Sequence, residues 1–291
     1  MPMRSLEQVL RPLLKRISFP RTLRMKGGRL RLWVSPGSDW RFLRPDWQHA
    51  GYSELVDVAE TWVRSGMRVW DIGANVGVFT FAALQRVGKE GSVTAIEPDP
   101  TLSAMIAHSR HANLRREGLN PHGPKVLTLA LNDVQGVLDL VIPINGSARN
   151  HLASVTGNSA DGEYDRRATV ALTADWLQQH VGRPDFIKID VEGAEVSLLH
   201  GAAEVLSKAR PLVYIEVNEE NTEAVTRLLG THRYLLFDYA GGSWKPTERC
   251  AFNTLAVPAE RLDEHPSLPR RTGAAAKREA QPERVAQTEA R

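Results

Sequence analysis

Val69-Trp70-Asp71-Ile72-Gly73-Ala74-Asn75-Val76-Gly77-Val78-Phe79-Thr80 is the stretch that decides the fold of this 291-residue chain. An apolar strand runs into an acid, then a glycine-containing turn, then apolar residues at helical spacing. Glycines in such a turn let the backbone approach a ligand, and the helix that follows presents unpaired N–H groups in its first turn. Working outward, strands are expected over residues 68–72, 92–96, 125–131, 185–190 and 212–217. Helices are expected over 53–65, 77–87, 101–117, 194–209 and 220–229. This alternation predicts an α/β fold with a parallel sheet. Two late strands, 234–239 and 252–257, are read as separated by a Gly-Gly loop and are expected to pair antiparallel.

The second strand runs into Ile96-Glu97-Pro98, which puts a carboxylate 20 residues after Gly77. A carboxylate there suits a ribose diol, because it accepts from two hydroxyls at once. The dinucleotide fingerprint G-x-G-x-x-G is not met: the pattern is Gly73-x-Asn75-x-Gly77, with Val78 where the last glycine of that register would stand. An acid two residues before the first glycine would repel a pyrophosphate and suits a ligand bearing an ammonium or a sulfonium. S-adenosylmethionine carries both, together with a ribose for Glu97.

Composition is that of an ordinary globular protein, 42% hydrophobic and 24% charged. No apolar stretch approaches the ~20 residues of a membrane span, and residues 1–14 lack the apolar block of a signal peptide. The single cysteine, Cys250, fits a reducing cytoplasm and a buried position in a strand-like run. Net charge is +3, yet residues 1–31 carry nine Lys/Arg against Glu7. The folded region is therefore acidic, which argues against a nucleic-acid partner. Leu6, Val9, Leu10, Leu13, Leu14 and Ile17 fall at helical spacing among Arg11, Lys15 and Arg16. Such a helix either docks on the domain or a second subunit, or lies on an anionic membrane surface. Residues 29–34 are expected to form a strand. Residues 144–164 are polar and Gly/Ser/Asn-rich, as in a functional loop. The expected organisation is a basic N-terminal helix and accessory segment over 1–52, a domain over 53–258, and a disordered tail over 259–291.

Three segments together, Asp71-Ile-Gly-Ala-Asn-Val-Gly77, Ile96-Glu-Pro-Asp99 and Phe186-Ile-Lys-Ile-Asp-Val-Glu-Gly-Ala-Glu195, resemble the FkbM family of class I methyltransferases. The resemblance spans about residues 50–257. It implies a Rossmann-like, seven-stranded and mostly parallel sheet with an antiparallel last strand and helices on both faces. It implies S-adenosylmethionine as donor and a hydroxyl acceptor on a sugar, glycan or secondary metabolite. By the same resemblance Asp71, Gly73, Asn75 and Gly77 line the methionine part, Glu97 holds the ribose, and Asn132 and Asp133 contact the adenine.

Ligands of open α/β sheets sit beyond the carboxyl ends of the strands. Asp190 closes the fourth strand and Glu216 lies near the end of the fifth, while Glu192 stands in the turn that Gly193 permits. Methyl transfer to a hydroxyl requires alignment, exclusion of water and a proton acceptor. Asp190, Glu192 and Glu216 are the candidates, with His151 as an outsider. Glu195 and His200 read as helix-stabilising and surface residues. No metal-ligand spacing is evident. N-methylation, a nicotinamide-linked oxidoreductase and a catalytically silent scaffold are the competing readings.

Overall fold

The computed structural model describes residues 14, 17–114, 118–143, 151–152, 164–240 and 243–270. Most of the expected N-terminal helix, most of the 144–164 loop and all of 271–291 lie outside them. The chain opens with a hairpin of β1 (Phe19–Met25) and β2 (Gly28–Val34), followed by α1 (Ser53–Trp62). The alternating units are β3 (Arg68–Ile72), α2 (Val78–Val87), β4 (Ser92–Ile96), α3 (Pro100–Asn113) and β5 (Lys125–Leu127). Four strands then interrupt them: β6 (Ala130–Leu131), β7 (Gly136–Pro143), β8 (His151–Leu152) and β9 (Tyr164–Leu172). The alternation resumes with α4 (Ala174–Val181), β10 (Phe186–Ile189), α5 (Glu195–His200), β11 (Leu212–Glu216) and α6 (Thr222–Thr231). It ends in β12 (Tyr234–Ala240), β13 (Ser243–Thr247) and β14 (Asn253–Pro258).

The main sheet has eight strands in the order β13-β12-β14-β11-β10-β3-β4-β5. From β11 to β5 every pair is parallel. β14 slots antiparallel between β11 and β12, the arrangement expected of the last strand. The eighth strand, β13, lies where only a loop was expected between the late strands. Its Pro246 is tolerable there because β13 is an edge strand, free of the need to donate on its outer side. Chain order reverses between β3 and β10, so the loops after these two strands diverge and open a crevice at their carboxyl ends.

The pleat sends alternate residues of each central strand to opposite layers. Val69 joins the core under α1, α2 and α3, whereas Trp70 and Ile72 join the core under α4, α5 and α6. The strand expected over 125–131 breaks in two. β5 stays in the main sheet, and β6 crosses into a second sheet of order β6-β9-β7-β8. β7 and β9 escaped the sequence pattern because their outward apolar residues, Val137 and its cross-strand partner Val170, are exposed and blur the alternation.

Both ends of the described chain are bound to the domain. The hairpin buries Leu23, Leu30, Leu32 and Val34 in the same core as α3. Its β2 backbone N–H groups at Arg31 and Trp33 donate to Asn113 Oδ1 at 3.0 Å and Ser109 Oγ at 2.7 Å. The tail expected to be disordered from 259 instead continues as a 3₁₀ turn at Ala259–Glu264, and Leu268 is buried. Arg210 anchors it by a two-point contact to Glu260 at 2.6 and 2.8 Å.

Candidate active site

A cleft of about 1180 Å³ opens at the carboxyl ends of β3, β4, β10 and β11. Gly73, Asn75, Glu97, Asp190, Glu192 and Glu216, all singled out from sequence, line it. Glu97 follows the last residue of β4 and is buried. Its two oxygens accept the backbone N–H groups of Asp99 at 2.9 Å and Asn75 at 2.7 Å. Burial pushes its carboxyl up to about 8, against the pull of those two N–H donors.

The turn after β3 is fixed by steric necessity. Gly73 has φ +72°, and a Cβ there would fall 1.7 Å from the Asp190 carbonyl oxygen. The two strand ends therefore meet backbone to backbone, and only glycine fits between them. Asn75 at φ 53° and Glu192 at φ 51° also occupy the left-handed region. In the Glu192 turn, Glu195 is turned inward. It accepts from the Gly193 N–H at 2.8 Å and from Asn221 Nδ2 at 2.5 Å.

Four expected ligand residues stand behind the cleft wall. Asp71 is fully buried, because it lies inside β3 rather than beyond it and its side chain enters the core beneath α2. It accepts from Thr80 Oγ1 and lies 3.5 Å from Lys188 Nζ. Gly77 caps α2 at φ +88°, with Phe81 and Ile106 within 3.3 Å of where its Cβ would stand. Its glycine thus serves helix packing. Asn132 is buried, and its side chain accepts from the Asp133 N–H at 2.7 Å. Neither Asn132 nor Asp133 reaches the lining, which at this point is Leu129, Ala130 and Leu131. His200 is exposed, and the side chain of His151 lies outside the described set.

Lys188 is the residue that sequence reasoning missed at the centre. It is 2% exposed, faces Asp71 across β3 and Tyr214 across β11, and donates to the Gly73 carbonyl at 2.8 Å. It also contacts Asp190 Oδ2 at 3.3 Å. Burial opposes its charge, but Asp190, Asp71 and Glu216 outweigh burial and hold the ammonium protonated. One cation thus ties the glycine turn to the carboxylate that ends β10. The signal was available: a lysine inside an otherwise apolar parallel strand needs buried partners.

The opposite wall also went unmarked in the sequence. Asp39 accepts from Arg41 Nε at 2.7 Å and from the Tyr52 hydroxyl at 2.5 Å, and the Arg41 guanidinium lies 5.1 Å over the Tyr52 ring. Burial pushes the Asp39 carboxyl up, but the Arg41 and Tyr52 donors prevail and hold it below its ordinary value. The Tyr214 hydroxyl donates to Glu54 at 2.8 Å. All five of these residues line the cleft. From the second sheet Arg167 reaches the lining, paired with Asp165 at 2.8 Å and Asp99 at 3.6 Å.

The chain is similar to several solved methyltransferase structures. One is a methyltransferase FkbM from Methylobacillus flagellatus KT, at 16% identity and a TM-score of 0.46 over 74% of this chain. The chain spans 50% of the length of that protein. A second is the magnesium protoporphyrin IX methyltransferase of Synechocystis PCC 6803 with bound SAM, at 11% identity, TM-score 0.39, and 72% and 80% of the two chains. A third is a SAM-dependent O-methyltransferase from Thermotoga maritima, at 12% identity, TM-score 0.39, and 87% and 79% of the two chains. No curated protein matches. The decisive finding is a family model, the methyltransferase FkbM domain, which matches residues 71–242. It begins at the Asp71 turn, takes in the Lys188 strand and covers more than half of the chain, which belongs to the methyltransferase FkbM domain family.

Proposed function

We propose that the chain transfers a methyl group from S-adenosylmethionine to a hydroxyl of a sugar, glycan or secondary-metabolite acceptor. The observation that carries this reading is the convergence of Asp190 and Glu216, from the ends of adjacent strands, on the cleft that also contains Glu97. The donor set fits the cofactor. Glu97 spends one lone-pair direction of each oxygen on a backbone N–H, which leaves acceptor capacity for a ribose diol. The Gly73–Asn75 turn gives backbone access for the methionine part, and Leu129, Ala130 and Leu131 offer an apolar wall for the adenine in place of Asn132 and Asp133.

When bound, S-adenosylmethionine supplies an electrophilic sulfonium methyl. The chain's own contribution is to bind the acceptor against that methyl, exclude water and accept the hydroxyl proton. Asp190 is the first candidate to take that proton, since Lys188 fixes its carboxylate at the cleft floor. Glu216 is the second. A volume of about 1180 Å³ exceeds what one drug-sized ligand requires, so donor and acceptor can lie side by side.

Calorimetric titration with S-adenosylmethionine and, separately, NAD⁺ tests the cofactor on wild type and Glu97→Ala. The expected result is binding of the first ligand alone, weakened by the substitution. Binding of NAD⁺ alone overturns the reading. A screen of hydroxyl acceptors with labelled methyl donor then tests the acceptor class.

A further inference from the structure

The hairpin that precedes the family domain has two chemically opposite faces. The inner face packs Leu23, Leu30, Leu32 and Val34 into the core. The outer face carries Thr22, Arg24, Arg29 and Arg31, all exposed, with Arg24 directly opposite Arg29 and Thr22 opposite Arg31. Residues 19–34 contain no acid, so the face carries positive charge alone among its own side chains. No ion pair joins Arg24 or Arg31 to a carboxylate among the described residues. At the hairpin tip Lys26 is 88% exposed in side-chain terms, even while paired with Glu60 at 3.4 Å.

This basic face runs up to the cleft. Trp33 continues the outer face two residues beyond Arg31, stacks on His108 at 4.0 Å and lines the cleft wall. Two exposed apolar residues are next in sequence to residues that line the cleft. Ile17 (49% exposed) precedes the lining residue Ser18, and Trp40 (39%) sits between the lining residues Asp39 and Arg41. Leu43, in the same short helix as Trp40, is 45% exposed.

We propose that the outer face of the β1–β2 hairpin and the apolar rim beside it dock the protein on an anionic lipid surface, with the cleft mouth held at that surface. Arginines beside exposed Trp, Leu and Ile form the composition that rests at a headgroup boundary, with the cations at the phosphates and the apolar groups just below. A nucleic acid would match the arginines but leave the apolar rim uncovered. Among the described residues no helix is long and apolar enough to cross a membrane. The contact is therefore peripheral, reversible and salt-sensitive.

The test is co-sedimentation of the full chain with vesicles of phosphatidylcholine containing about one-third phosphatidylglycerol, beside vesicles of phosphatidylcholine alone. Pelleting is expected with the anionic vesicles only, with release at about 0.5 M salt. Each arginine held at such a surface is worth about fivefold in partition, so Arg24→Gln/Arg29→Gln lowers it about 30-fold. S-adenosylmethionine binding of that variant stays at the wild-type level, which shows that the fold is intact. Trp40→Ala lowers vesicle partition several-fold, a loss that phosphate recognition alone would not produce. Failure of the wild type to pellet overturns the proposal, as does equal pelleting of wild type and the double glutamine variant. Tighter binding to polyuridylate than to anionic vesicles, lost in the same variant, overturns it in favour of a nucleic-acid surface.

Discussion

Asp71 and Glu97 sit at the carboxyl ends of adjacent parallel strands, and the sheet treats them in opposite ways. Asp71 is the penultimate residue of β3, so the pleat drives its side chain into the core, where Lys188 and Thr80 meet it. Glu97 lies one residue past β4, where the strand geometry has ended and its carboxylate turns into the cleft. Both are buried, but one is balanced by a cation and the other only by two backbone N–H groups. A carboxylate at a strand end is thus core-facing or cleft-facing according to a shift of one or two residues along the chain. Both carboxylates need positive or donating partners: Asp71 has a cation within the protein, while Glu97 keeps acceptor capacity beyond its two backbone N–H groups.

The largest effect should come from cutting the internal counter-charge. Lys188→Met leaves Asp71 buried without a cation and frees both Gly73 and Asp190 from their anchor. Removing one partner of a buried pair costs about 3–5 kcal/mol, to be read as a shift of the urea midpoint at unchanged slope. Asp71→Asn/Lys188→Met removes the stranded charge and should recover most of that loss. If the double variant is no more stable than Lys188→Met, Asp71 is not the partner that makes the lysine necessary.

Glu97→Gln should behave in the contrary way. The amide has the shape of the protonated acid but cannot accept from a ribose diol with both oxygens. Loss of a charge-assisted hydrogen bond is worth about 1.5–3 kcal/mol, so S-adenosylmethionine should bind about 10- to 100-fold more weakly. Stability should lose its dependence on pH. A carboxyl whose folded pKa is raised to about 8 costs the folded state increasingly as pH rises from its ordinary value of 4.5 toward 8. Glu97→Gln removes that cost while turning its amide N–H2 toward one of the two backbone N–H groups, so its urea midpoint should stay level between pH 5 and pH 8 while that of the wild type falls. A variant whose stability falls over that range as the wild type's does would put Glu97 in the same class as Asp71.

The parts legible in the sequence are those in which local pattern and buried position agree. β3 and β4 fall on their expected residues because each is a short apolar run closed by a turn signal. Glu97, Asp190 and Glu216 line the cleft because a strand's end fixes where its next side chain points. Asp71 lies behind the wall for the same reason: the motif marks it, but only the register against Lys188 shows which way it faces. The wall of Asp39, Arg41, Tyr52 and Glu54 left no trace, since loop and first-turn residues carry no period. The β7–β9 pairing was hidden because its strands are brought together across the 144–164 segment, a non-local contact that no window of sequence contains.

The finest test of the contrast lies in the protonation of Glu97 itself. With a pKa near 8 in the free protein, Glu97 is mostly protonated at pH 7, whereas a ribose diol is held by the carboxylate. Binding should therefore release about one proton near neutral pH, and affinity should rise about tenfold between pH 7 and pH 9 before levelling off. Calorimetry at pH 7 in two buffers of different ionisation enthalpy reads the proton count directly, and Glu97→Gln should abolish both the release and the rise. Asp71 stands behind the cleft wall, out of a ligand's reach, and should contribute nothing to that proton release. A pH-independent affinity in the wild type would mean that Glu97 keeps its proton when the cofactor binds. It would then donate to the ribose rather than accept from it, and the distinction between the two carboxylates would rest on position alone.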